Sequence, residues 1–220
     1  NAKKYIRSQI PDCKIKTLVV DITNESDLID LNAKLLNKDM AIDILINNAA
    51  LNPKMDSFNN ELSGTVENYD MELWEREIQV GITGTFLCCK VFGSEMANSG
   101  SGVIINIASD LGVIAPDQRI YKDSYKPIDY SVTKHGLIGM TKYLATYYAK
   151  KGIRVNALSP SGIYSKDIPD DFVERLTNLI PMGRMANLED YIGAVIFLCS
   201  DASKYMTGSN LIIDGGRTTW

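Results

Sequence analysis

Short runs of β-branched and other apolar residues alternate along the chain with stretches whose apolar positions recur every three or four residues. These are the periods of buried strands and of helices packed on one face. Residues 1–10 read as the end of a helix. Residues 14–20 form a β-rich run, and Leu28, Leu31, Leu35 and Leu36 then mark a helix. Residues 42–46, apolar except for Asp43, predict a strand buried on both faces that ends at Asn47-Asn48-Ala49-Ala50. Residues 71–98 carry one long helical period with Gly81 and Gly84 as weak points, and residues 102–108 (GVIINIA) predict a third strand. A polar, proline-bearing loop over 111–129 leads into a helix over 130–151, with Gly152 placed to stop it. A strand over 153–158, helices over 172–179 and 188–199, and a last strand over 210–213 complete the pattern. Strands alternating with helices predict an α/β fold: one domain over 1–220, with a parallel sheet covered on both faces by crossover helices.

Composition narrows the function classes. With 220 residues, 45% of them hydrophobic, the chain has material for a sizeable core. Its net charge of −4, from 23 Lys and Arg against 27 Asp and Glu, lacks the basic footprint that phosphate backbones demand, so no nucleic-acid partner is expected. Cys13, Cys88, Cys89 and Cys199 show no C-x-x-C spacing and read as reduced thiols of a cytoplasmic protein. No charged-then-apolar leader opens the chain and no apolar run approaches about 18 residues, so no membrane contact is expected.

The candidate chemistry centres on Tyr130-Ser131-Val132-Thr133-Lys134, in which Tyr130 and Lys134 share one helix face. An ammonium beside a phenol favours the phenolate, which would lower the tyrosine toward the range of a general acid/base. Ser109 follows the buried strand 102–108, at the carboxyl edge where open α/β sheets bind ligands, and is placed to donate to a substrate oxygen. His135, the only histidine, points off the Tyr130/Lys134 face and reads as structural or surface; no metal site is expected.

These residues stand in stretches that resemble the short-chain dehydrogenase/reductase family: VVDIT (19–23), DILINNAA (43–50), GTFLCCK (84–90), GVIINIASDLG (102–112), YSVTKHGLIGMTKYLA (130–145), GIRVNALSPSGI (152–163) and TGSNLIIDGG (207–216). The resemblance implies a Rossmann-like, doubly wound fold and an NAD- or NADP-dependent interconversion of an alcohol and a carbonyl. It implies that Tyr130 exchanges the proton, that Lys134 lowers its pKa and holds the nicotinamide ribose, and that Ser109 orients the substrate oxygen. It places Asp21 and Ile22 beside the adenine, Asn47 and Ala49 beside the adenosine ribose, and the backbone of Ile163 at the carboxamide. A small-molecule substrate with a hydroxyl or carbonyl and a homodimer or homotetramer, formed by the helices over 71–98 and 130–151, also follow from it.

The chain departs from the family pattern in several places. The Gly-rich turn that receives the pyrophosphate does not occur in this sequence, so the first two strands are expected in a segment upstream of residue 1. In the family's strand order 3-2-1-4-5-6-7 those strands would lie between 14–20 and 42–46. A gap there would leave buried backbone groups unpaired, at on the order of 1–3 kcal/mol each. Gly81 stands where the family usually has an Asn that supports the proton relay behind the lysine, and Ser161 stands where a Gly is usual. The loop between Ser109 and Tyr130 is longer than the family norm, which suits either substrate contacts or a solvated surface loop. The insertion and Gly81 together are similar to short-chain oxidoreductases of bacterial surface-sugar and flagellin-glycan pathways, which suggests a sugar or amino-sugar derivative as substrate. Two other readings remain open. An extended nucleotide-sugar epimerase would share the Tyr/Lys pair, but residues 135–220 leave no room for its substrate domain. A truncated or decayed family member would act as a non-catalytic binding or assembly module.

Overall fold

The computed structural model describes residues 2–51, 65–122 and 124–220. Among these residues the sheet has four parallel strands in the order β1 (Ile44–Asn47), β2 (Gly102–Ile107), β3 (Ile153–Pro160) and β4 (Asn210–Ile213). Ile44 stands opposite Val103, Ile104 opposite Val155 and Leu158 opposite Leu211. Parallel neighbours need long crossovers, and helices supply them. Upstream of β1 lie α1 (Ala2–Gln9) and α2 (Glu25–Leu36); α3 (Met71–Ile78) and α4 (Thr85–Ser99) join β1 to β2, α5 (Ile128–Tyr148) joins β2 to β3, and α6 (Asp170–Thr177) and α7 (Glu189–Cys199) join β3 to β4.

Alternation along the strands divides the core into two layers. On one face Ile104 and Val155 pack with Cys89 and Met96 of α4 and Leu144 and Tyr148 of α5. On the other, Ile105 and Leu158 pack against Leu198 and its neighbours on α7. Ile104, Ile105 and Val155 are fully buried, and each such side chain contributes about 1.5–3 kcal/mol of apolar burial. The fold is thus a Rossmann-like sheet with helices on both faces. Among the described residues no helix is long and apolar enough to cross a membrane.

Three features differ from the sequence reading. Residues 14–20 form no strand; Leu18 and Val19 are exposed. β-propensity alone does not make a strand, because its backbone groups need a ladder partner. The segment instead lines a trough of about 800 Å3 together with β1, through Ile15, Leu18, Leu35, Ile44 and Phe92. For the same reason β1, at the end of the described sheet, is not buried on both faces: Ile44 is 43% and Ile46 42% exposed. Third, the helix expected over 71–98 is broken by a wide π-turn, Gln79–Gly84, between α3 and α4. Close approach on both sides accounts for the two glycines. A Cβ at Gly84 would lie 2.8 Å from Ile22 Cδ1, and one at Gly81 would lie 3.1 Å from Thr133 Cγ2. Gly152 does end its helix as expected, in the left-handed conformation (φ 77°).

Candidate active site

Past the end of β2 the chain runs extended through Ser109 (φ −167°, ψ 160°) and then tightens into a single 3-10 turn, Asp110–Gly112. Ser109 caps that turn: its hydroxyl accepts from the Leu111 amide at 3.2 Å and donates to Asp110 Oδ1 at 2.8 Å. The other Asp110 oxygen meets Arg217 Nη1 at 2.8 Å, and both side chains are almost fully buried. A charge pair contributed from beyond β4 therefore holds the serine through its neighbour.

The start of α5 supplies the other two groups. Asp129, wholly buried, accepts from the Tyr130 amide at 2.6 Å and from the Tyr69 hydroxyl at 2.5 Å, which fixes the first turn of the helix. Tyr130 and Lys134 then fall on one face, as their spacing requires. Lys134 Nζ donates to the carbonyl of Ile107 at 2.9 Å and lies 5.6 Å from the Tyr130 ring centroid; Lys126 Nζ lies over the same ring at 3.8 Å. The Ser109 hydroxyl lies near enough to the phenol to lower its pKa. Ser109, Tyr130 and Lys134 thus converge at the carboxyl end of β2.

The electrostatics run differently from the sequence expectation. Burial pushes the Tyr130 phenol above its ordinary value, with Asp110 and Glu77 adding to the rise, and the Ser109 hydroxyl provides the opposing effect. Lys134 is itself pulled down, to about 8, by burial. Its ammonium donates to the Ile107 carbonyl, and burial holds the phenol in its protonated form.

The other residues singled out from the sequence are more dispersed. Asp21 is exposed, and its carboxylate accepts from the Thr23 hydroxyl at 2.7 Å and the Thr23 amide at 2.9 Å, which lowers its pKa. The side-chain cap of α2 comes from Asn24. Ile22 packs under the π-turn at Gly84. Asn47 is buried at the end of β1 and donates to Asn106 Oδ1 at 2.9 Å and Cys89 Sγ at 3.2 Å, while Ala49 is exposed beyond it. Ile163, 38% exposed, follows β3 and bridges to Ala186. His135 is exposed, with Nδ1 2.9 Å from the Ser131 carbonyl.

Because the strands are parallel, Asn47, Ser109 and Ile163 share one edge of the sheet. Ser161, on that edge, is buried, and its hydroxyl has no hydrogen-bond partner among the described residues. An orphaned hydroxyl and the Lys134 donors fit the polar groups of a dinucleotide laid along this edge. The loop after Ser109 is anchored by Ile120 and Tyr121, which pack with Leu176, Ile180 and Met185. Beside it opens a crevice of about 460 Å3 lined by Glu67, Pro116, Gln118, Tyr125, Lys126 and Ser131.

Residues 1–218 match the family model described as enoyl-(acyl carrier protein) reductase. The chain belongs to the short-chain dehydrogenase/reductase family. An NAD-dependent glycerol dehydrogenase of Listeria innocua is 33% identical over 98% of this chain and 80% of its own length. A D-threitol dehydrogenase of Mycolicibacterium smegmatis is 32% identical over 80% of this chain and 63% of its own. Among solved structures, a short-chain dehydrogenase of Leptospira borgpetersenii with bound NAD+ superposes with a TM-score of 0.83 at 38% identity, covering 91% of this chain and 74% of that one.

Within this short-chain dehydrogenase/reductase, Glu77, Asp110, Lys126, Asp129 and Arg217 escaped the sequence reading. Asp110 and Asp129 each adjoin a singled-out residue, which is a usable signal. Arg217 and Glu77 carry none: one lies after β4, and the other shares α3 with Glu72, Glu75 and Arg76 and reads as part of a solvated face.

Proposed function

We propose that this member of the family is an NAD(P)-dependent oxidoreductase that interconverts a hydroxyl and a carbonyl on a polyol or sugar derivative. The convergence of Ser109, Tyr130 and Lys134 carries the reading. Relatives named as glycerol and threitol dehydrogenases support the substrate class, as does a crevice whose polar groups, Gln118, Lys126 and Ser131, suit a hydroxylated ligand.

In this reading Lys134 holds the nicotinamide ribose, the orphaned Ser161 hydroxyl takes a polar group of the dinucleotide, and Ile163 and Asn47 flank it at the strand ends; Asp21, Ile22 and Ala49 line the adenosine side. The dinucleotide supplies the hydride acceptor or donor when bound. Ser109, held in place by the Leu111 amide, turns its hydroxyl proton from Asp110 Oδ1 to the substrate oxygen when substrate is bound. Tyr130 gives its proton to that oxygen as the carbonyl is reduced and takes it back as the alcohol is oxidised. Burial keeps water from competing for the phenol. Copies of the chain pair through α4 and α5, where Phe86, Tyr143 and Tyr147 stand exposed.

The test is a panel of polyols, sugar acids and amino sugars, read by formation of reduced nicotinamide with NAD+ and with NADP+, in the parent and in Tyr130→Phe. We expect turnover of at least one polyhydroxylated substrate and a loss of about 10²–10⁴-fold in the variant, with the cofactor dissociation constant unchanged. Equal turnover in the two proteins removes Tyr130 from the reaction. Failure to bind either dinucleotide favours a non-catalytic module.

A further inference from the structure

The crevice beside the loop after Ser109 and the phenol of Tyr130 share one residue, Lys126. It lines the crevice of about 460 Å3, and its Nζ lies over the Tyr130 ring, 3.8 Å from the centroid. Its place is set by the chain on both sides. The Lys126 amide donates to Gln118 Oε1 at 2.9 Å, and Pro127 and the first turn of α5 follow directly. The loop that carries it is clamped to α6, where Arg175 Nε donates to the Ile120 carbonyl at 2.7 Å and Lys122 and Arg175 both pair with Asp171. An ammonium is therefore held where the crevice meets the ring whose hydroxyl handles the proton.

The charges around Lys126 define what it can recognise. Asp129, Asp110 and Glu77 all act on it, but none of the three lines the crevice. Asp110 engages Ser109 and Leu111 through Oδ1 and Arg217 through Oδ2, Asp129 engages the Tyr130 amide and the Tyr69 hydroxyl, and Glu77 is 2% exposed. Of the charged groups that do line it, Lys126 is half-buried and Glu67 is exposed. Two further side chains bring donors: the Ser131 hydroxyl, buried without a partner among the described residues, and the amide nitrogen of Gln118. Pro127 and Ile128 also line the crevice, so the partial positive charge at the start of α5 adds to the ammonium. Burial works against the charged form of Lys126, and an anion seated beside it offsets that cost. Such a surface suits a ligand rich in acceptors and negative at one end.

We propose that Lys126 is a specificity-determining residue that takes a carboxylate on the substrate, so that this oxidoreductase acts on a polyhydroxylated acid in preference to the neutral polyol of the same chain length. The proposal rests on the Tyr130 reaction given above and narrows its substrate. The carboxylate sits at Lys126 and the start of α5, which places a nearby carbinol carbon toward Tyr130, and the hydroxyls beyond run toward Ser131 and Gln118. Glu67 repels an anion at its own end of the crevice, so the acid enters in one orientation.

The test compares a sugar acid (an aldonate) with the alditol and the sugar phosphate of the same carbon number. Oxidation of each is followed by formation of reduced nicotinamide in the parent, Lys126→Met and Lys126→Arg, and aldonate binding is measured by calorimetry with and without dinucleotide. We expect the parent to use the aldonate at least about tenfold better in kcat/KM than the alditol, mainly through KM, and that KM to rise with salt. Lys126→Met is expected to lose about 10–100-fold on the aldonate, at least about tenfold more than on the alditol, and Lys126→Arg to recover part of the loss. Equal use of aldonate and alditol by the parent overturns the proposal, as does a folded Lys126→Met that keeps the parent's preference. A parent that prefers the sugar phosphate to the aldonate overturns it as well. Should Lys126→Met fail to fold, the parent decides: an aldonate KM indifferent to salt overturns the proposal. Should nothing turn over, calorimetry separates the two readings. An aldonate bound by the parent and at least about tenfold more weakly by Lys126→Met refutes the reaction and supports the carboxylate site, whereas an aldonate bound by neither overturns the site.

Discussion

Arg217→Met tests whether the buried pair behind Ser109 holds the site together. Arg217 and Asp110 are nearly wholly buried and joined at 2.8 Å, and Asp110 Oδ1 in turn receives the Ser109 hydroxyl and the Leu111 amide. Removing the guanidinium leaves a buried carboxylate without its counter-charge, a loss of about 3–5 kcal/mol. Arg217 Nε is itself buried without a partner among the described residues, so its removal also relieves an unsatisfied donor and places the loss at the lower end, about 3 kcal/mol. For a chain of this length that lowers Tm by about 6–12 °C. Urea unfolding followed by circular dichroism measures the loss, and a double-mutant cycle with Asp110→Asn isolates the pair. The double variant should be more stable than the sum of the single losses predicts, by at least about 1 kcal/mol. At the same time kcat should fall about tenfold or more, because an unpaired Asp110 no longer orients Ser109. Additive single losses, or an Arg217→Met protein that unfolds with the parent, would refute the reasoning.

Lys134 makes a pH prediction of definite sign. Its pKa is pulled from 10.5 to about 8 on folding, so between those values the unfolded chain binds the extra proton and stability rises with pH. Lys134→Met should flatten that slope in urea midpoints across the window, and it should weaken cofactor binding below about pH 8, where the parent's ammonium is present. Gly112→Ala places a Cβ 2.8 Å from the backbone oxygen of Lys134, pushing the turn that carries Ser109 away from α5. We expect about 1–3 kcal/mol of destabilisation by differential scanning calorimetry and a drop in kcat larger than the change in KM; parent-like values in both would show that the two elements are free to separate.

The amino-acid order by itself determined the alternation of strand and helix, the parallel sheet, and the shared helix face of Tyr130 and Lys134. These follow from local pattern: short continuous apolar runs and a 3.6-residue repeat. Tertiary structure decided what those periods do not encode. Whether residues 14–20 join a sheet depends on a partner for their backbone groups, which no local propensity supplies. The direction in which Tyr130 is shifted depends on burial, which the motif does not encode. Arg217 reaches Asp110 across 107 residues of chain, and Glu77, one acidic residue among several on its helix, turns inward only because α3 is laid against α5 at the π-turn. Pairings of this kind are set by the packing of whole elements, and their free energies come from desolvation, which exists only once the chain has closed around them.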